Sequence, residues 1–141
     1  MKTKQRMENR KEVNLLIIAS TNNALKCSKG KAESPQHRQT KFELSAFCWE
    51  RGIDFATEVT FKDNQRADFV IKDWVVAIEV LNSEKLKDFW KKKYPIPAIP
   101  IFASIEPKKL TEIMEDLETT DGSGAGYYIR ESLIKLKGEK Q

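Results

Sequence analysis

Two acids, Asp68 and Glu79, sit inside the stretch RADFVIKDWVVAIEVLNS (Arg66 to Ser83), within apolar runs that read as buried β-strands. A carboxylate enclosed without a partner is costly, so each must be paired, hydrogen-bonded or bound to a cation. Carboxylate oxygens without histidine or cysteine beside them suit a hard cation such as Mg²⁺ or Mn²⁺ and argue against zinc. Whether the two acids can share one ion depends on the strands that carry them.

If Lys72 and Asp73 form a two-residue hairpin, Ile71 faces Trp74. Ala67, Phe69 and Ile71 then share an apolar face with Val76, Ile78 and Val80. The opposite face carries Arg66, Asp68 and Val70 with Val75, Ala77, Glu79 and Leu81. In this register Asp68 lies opposite Ala77 and diagonal to Glu79, at a backbone separation of roughly 7–8 Å that side chains can narrow. A three-residue turn at DNQ sets Thr60 opposite Asp68 and brings Glu58 to the same face. Glu43 can join from the preceding helix. The same register puts Arg66 across from Glu79, so a purely structural ion pair is the alternative reading.

The elements around these strands follow from caps and periodicity. The first twelve residues show no apolar period and read as a basic tail, and VNLLIIAS (Val13 to Ser20) reads as a strand. Ser34 and Pro35 open a helix that Gly52 closes, with Phe42, Ala46 and Trp49 on one stripe and Leu44, Phe47 and Cys48 beside it. Three strand-like runs joined by short polar connections predict an antiparallel meander. A second helix is expected from Ser83 to Tyr94, a strand over IPAIPIFAS, a third helix from Pro107 to Thr119, and a flexible loop at DGSGAG (121–126). The last fifteen residues are ambiguous between strand and helix. The expected fold is α/β: a central mixed sheet with an antiparallel meander, flanked by helices, in one domain spanning 1–141.

Composition narrows the classes. With 25 Lys and Arg against 21 Asp and Glu the formal charge is +4, too mild to demand an anionic partner. The distribution says more: Lys85, Lys87, Lys91, Lys92 and Lys93 surround Phe89 and Trp90, a basic stripe with interleaved aromatics. No apolar run is long enough for a membrane span and no signal-peptide pattern is present, which predicts a cytosolic protein. Cys27, Cys48 and the single His37 have no metal-ligand spacing and read as plain side chains.

An acid on the first helix, a strand meander with Asp68, and Glu79 in the following apolar strand resemble the PD-(D/E)xK nuclease superfamily over roughly Ser34 to Ser104. HRQTK, RAD, AIEVLNSEK and YPIPAIPIF are similar to competence-associated nucleases and to restriction-endonuclease-like proteins related to junction resolvases. The resemblance implies a restriction-endonuclease-like core and a metal-dependent DNA endonuclease. Asp68 and Glu79 would be its ligands for Mg²⁺ or Mn²⁺, and Glu43 its helix acid. It departs from the family at Leu81, where the motif has lysine. Lys41, one turn after His37, is the expected substitute, with Lys85 second. His37, Lys41 and the stripe of Lys85, Lys87, Lys91, Lys92 and Lys93 would contact DNA phosphates, giving recognition of shape rather than sequence. A homodimer cutting both strands is a family-level expectation. The alternative is an inactive copy of the fold that binds nucleic acid or a protein.

Overall fold

The computed structural model describes residues 3–21, 34–82 and 86–139. A five-stranded sheet has the order β1 (Ile17–Thr21), β2 (Phe55–Phe61), β3 (Arg66–Ile71), β4 (Val76–Leu81), β5 (Ala98–Phe102). The first four strands run antiparallel to their neighbours, and β5 lies parallel to β4. Helices α1 (Thr3–Leu16), α2 (Pro35–Arg51), α3 (Leu86–Trp90), α4 (Pro107–Thr119) and α5 (Ala125–Glu139) surround it. This is an α/β fold with a mixed sheet and a meander. Among the described residues no helix is long and apolar enough to cross a membrane.

Helix α2 forms where its caps predict. Ser34 Oγ accepts from the His37 amide at 3.1 Å, Pro35 occupies the first turn, and Gly52, at φ +65°, closes the helix with its N–H on the Cys48 and Trp49 carbonyls. Its buried stripe is Lys41, Leu44, Ser45, Phe47 and Cys48, whereas Phe42 and Trp49 remain 46% and 58% exposed. The Cys48 thiol is raised to about 12, mainly by burial, and behaves as a core group rather than a nucleophile. Leu44, Phe47 and Cys48 pack with Phe69, Ile71, Ile78, Leu110 and Met114, which places α2 and α4 on one face of the sheet. Val13 of α1 packs with Ala56, Val59, Phe61, Val70 and Ala77 on the other face. A third group, Leu81, Leu86, Phe89 and Leu136, joins the end of β4 to α3 and α5.

Both hairpin registers differ from the sequence expectation by two. The β2–β3 turn closes at Phe61 and Gln65, with Lys62, Asp63 and Asn64 as its loop and Asn64 at φ +70°. Thr60 therefore faces Arg66 rather than Asp68. Asparagine tolerates this left-handed conformation, which shifts the turn by one residue. Between β3 and β4 the connection is four residues, a 3₁₀ turn at Lys72–Trp74 followed by Val75 at φ +55°, so Ile71 pairs with Val76. A shift of two keeps Phe69 and Ile71 on one face with Val76, Ile78 and Val80, whereas Ala67, expected with them, enters the α1-side core.

That longer connection exists because α1 holds it. Asp73 is fully buried and accepts from the Arg10 guanidinium, with Nη2 at 3.0 Å from Oδ2, and from the Asp54 amide at 3.1 Å. Asn9 Nδ2 donates to the Asp73 carbonyl at 2.7 Å. The N-terminal residues expected as a tail are thus a docked helix, and Val13 belongs to it rather than to a strand. The expected second helix is described only over Leu86–Trp90, while Ser83, Glu84 and Lys85 lie outside the described residues. Of the DGSGAG segment, residues 121–124 form a turn packed on Trp74 and the last two open α5. A Cβ at Gly122, whose φ is +88°, would lie 2.5 Å from the Trp74 Cβ, so only glycine fits. The ambiguous C-terminal segment is helix α5.

Asp73→Ala would leave the half-buried Arg10 guanidinium and the Asp54 amide without their shared acceptor. A loss of about 3 kcal/mol is expected in urea unfolding. Native-state hydrogen exchange should show α1 losing protection before the central strands do.

Candidate functional site: a row of three acids

Registers on either side of Asp68 align three acids. Glu58 and Asp68 fall between the pairs Thr57–Phe69 and Val59–Ala67, and Asp68 and Glu79 are the next positions beyond the pair Phe69–Ile78. Glu58, Asp68 and Glu79 thus form one row across β2, β3 and β4. The backbone is irregular along this row. Glu58 has φ +47°, which is sparse for a non-glycine residue, and strict alternation breaks there. Ala56, Val59 and Phe61 all enter the α1-side core, and Ala67 and Val70 do the same on β3.

Asp68 is turned into the gap where β3 and β4 part. Its Oδ2 accepts from the Val80 amide at 2.7 Å, taking the place of a strand carbonyl in the ladder. Asp68 is thus bonded to the strand that carries Glu79, with its other oxygen toward His37 on α2, while Glu79 faces Lys92 and Tyr94. The charge of the two acids has a measurable consequence: the Glu79 carboxyl is pushed up to about 7, first by burial and then by Asp68, against the opposing pull of Lys92, Tyr94 and the Asp68 amide.

Each acid of the row also has a cationic or protonatable neighbour. His37 Nε2 lies 3.4 Å from Asp68 Oδ1. One turn later on α2, the fully buried Lys41 meets Glu58. Lys92 Nζ lies 3.4 Å from Glu79 Oε1, and the Tyr94 hydroxyl donates to Oε2 at 3.0 Å. His37 and Lys41 do share a helix face, as their spacing indicates, but that face points into the protein.

Several expectations are revised by this geometry. Lys41 has no exposed surface, which removes it from phosphate contact and leaves it a partner of Glu58. Glu43 binds Gln39 at 3.0 Å on the exposed side of α2, and Glu58 takes the position of third acid. Arg66 lies at the start of β3, exposed and two positions beyond Glu79 in the register, so the expected Arg66–Glu79 pair does not form. Lys87, Lys91 and Lys93 are exposed, with Lys91 3.8 Å from Asp88, whereas Lys92 alone of the described stripe turns inward. Lys85 lies outside the described residues. Leu81 is fully buried with Leu86, Phe89 and Leu136, so the side chain at the motif-lysine position is part of the core. Tyr94 and the inward turn of Lys92 were not anticipated. The only sequence signal for them is a lysine and a tyrosine just after the strand that carries Glu79.

Asp68 and Glu79 fit a small hard cation by donor chemistry: Mg²⁺ uses one or two carboxylates and keeps waters for its remaining positions. Among the described residues no group of three or more His, Cys, Asp and Glu is placed to hold a metal. Any ion here would therefore rest on two protein carboxylates.

The raised Glu79 pKa fixes a sign. Between pH 4.5 and about 7 the unfolded chain has lost the proton that the folded chain retains, so this group's contribution to stability falls as pH rises. In metal-free protein, Glu79→Gln should flatten the decline of the melting temperature across that window. An equally steep decline in the variant would show that Glu79 is not its source. No protein-family model, no curated protein and no solved structure matches this chain.

Proposed function

We propose that the chain is a metal-dependent deoxyribonuclease in which Asp68 and Glu79 hold one Mg²⁺ or Mn²⁺. The observation that carries the reading is the neighbouring placement of these two carboxylates at the gap between β3 and β4, with Asp68 bonded to the Val80 amide beside Glu79 and its charge raising the Glu79 carboxyl. A bound divalent ion supplies Lewis acidity at a phosphoryl oxygen and lowers the pKa of an attacking water. The chain's own residues supply the rest. Asp68 is held by the Val80 amide and Glu79 by the Tyr94 hydroxyl, Lys92 brings positive charge to the place where negative charge grows on the phosphate, and His37 lines the Asp68 side.

Lys92 replaces Lys41 as the cation that answers for Leu81. It is on the segment after α3, 36% exposed and in contact with Glu79, so it reaches both the acid and a bound strand. The exposed Lys87, Lys91 and Lys93 beside it would track phosphates, which carry no base information. Recognition is then directed by DNA shape.

One observation favours a second reading, an inactive nucleic-acid-binding copy of the fold: Glu79 is already engaged by both Lys92 and Tyr94. Incubation with supercoiled plasmid, linear duplex, single strand and a four-way junction separates the two, with Mg²⁺, Mn²⁺ or chelator. Cleavage should require the metal and disappear in Asp68→Ala and Glu79→Ala. Lys92→Ala should lower kcat by about 10²-fold, while Lys41→Ala should act on stability. Salt-sensitive binding without cleavage of any substrate would select the second reading.

A further inference from the structure

Beside the acids lies a recess of about 210 Å³ that the row itself does not explain. Its walls include Phe89, Trp90, Tyr94, Pro97 and Ile129, with Lys92 among them. Two of these, Lys92 and Tyr94, are the residues that grip Glu79, so the recess and the acid pair share a wall. The aromatics form a cluster: Phe89 stands edge-on to Trp90 at 5.2 Å between centroids and 6.1 Å from Tyr94. The Trp90 indole N–H is enclosed and meets no acceptor among the described residues.

We infer that this recess receives one unpaired nucleobase of the bound strand, which makes the preferred substrate DNA with a base outside the helical stack. The inference rests on the nucleic-acid reading of the adjoining acids. Three features converge on this occupant. The volume is below the roughly 300 Å³ at which pockets begin to enclose drug-sized ligands, and suits a single heteroaromatic ring. Aromatic walls favour a flat π-system, and base stacking on such side chains is tolerant of base identity. Finally, Lys92 stands where the phosphate of the same nucleotide would emerge, next to Glu79. A duplex with all its bases stacked has no ring to offer, whereas a bulge, a flap or a branch point does.

The test uses the full chain and three short fluorescent duplexes in chelator: one with a single bulged thymine, the same duplex with an abasic bulge, and an uninterrupted duplex. Binding is read by anisotropy. Thymine over abasic should be favoured by about tenfold, the weight of one base–aromatic stack. The ratio should fall to about one in Trp90→Ala, and also in Ile129→Phe, which fills the recess while leaving Trp90 in place. Thermal unfolding of both variants confirms that they fold. Equal affinity of the wild-type chain for the thymine and abasic bulges overturns the inference, and the plasmid cleavage described above then tells whether the nuclease reading survives it. Absence of binding to all three duplexes likewise overturns the inference, and the plasmid cleavage with metal decides the nuclease reading separately.

Discussion

Three carboxylates in one row of a sheet repel one another, and each loses hydration on folding. The structure answers this with one neighbour per acid: Lys41 for Glu58, His37 for Asp68, Lys92 for Glu79. The compensation is uneven. Glu58 has a fully buried ammonium against it, whereas Glu79 keeps a carboxyl raised to about 7 despite Lys92 and Tyr94. The ionised state is therefore least compensated at the Asp68–Glu79 end. A cation entering there would relieve both the repulsion and the desolvation at once.

The surrounding fold is arranged so that this end can remain polar. Apolar side chains fill both faces of the sheet, and Leu81 closes the core under α3 two residues beyond Glu79. On the other side α1 pins the β3–β4 connection through Asp73, which sets the register that brings Asp68 level with Glu79. The left-handed Glu58 bends β2 at the same level and lets its side chain reach Lys41 on α2. Packing, turn geometry and the polar row are thus one problem with one solution. Strain at Glu58 and Val75 is retained where it serves this alignment.

Much of this was legible in local chemistry. Ser34, Pro35 and Gly52 mark α2 because caps act within a few residues. The faces of Phe69 to Ile71 and Val76 to Val80 survived an error of two in register because side chains alternate with period two, whereas Ala67 changed sides at the break beside Glu58. What escaped was whatever depends on distant partners. Helix α1 has almost no apolar stripe and is secured by Asn9, Arg10 and Val13 against groups more than forty residues away in sequence. Nothing local distinguishes Asn64 or Val75 as left-handed until the strands are closed. Lys41 escaped for the same reason: spacing put it near the acids, but only the packed helix shows that it is enclosed. Leu81 is the reverse case, a departure visible in the sequence whose cause is its place in the core.

The central claim is that Asp68 and Glu79 form one cation site. Mn²⁺ binding to the isolated chain, followed by loss of the free-ion electron paramagnetic resonance signal, tests it without requiring any substrate. The account predicts one bound Mn²⁺ per chain, abolished separately by Asp68→Ala and by Glu79→Ala and unchanged by Glu43→Ala. Binding that persists in either of the first two variants, or no binding to the unmodified chain, would contradict it.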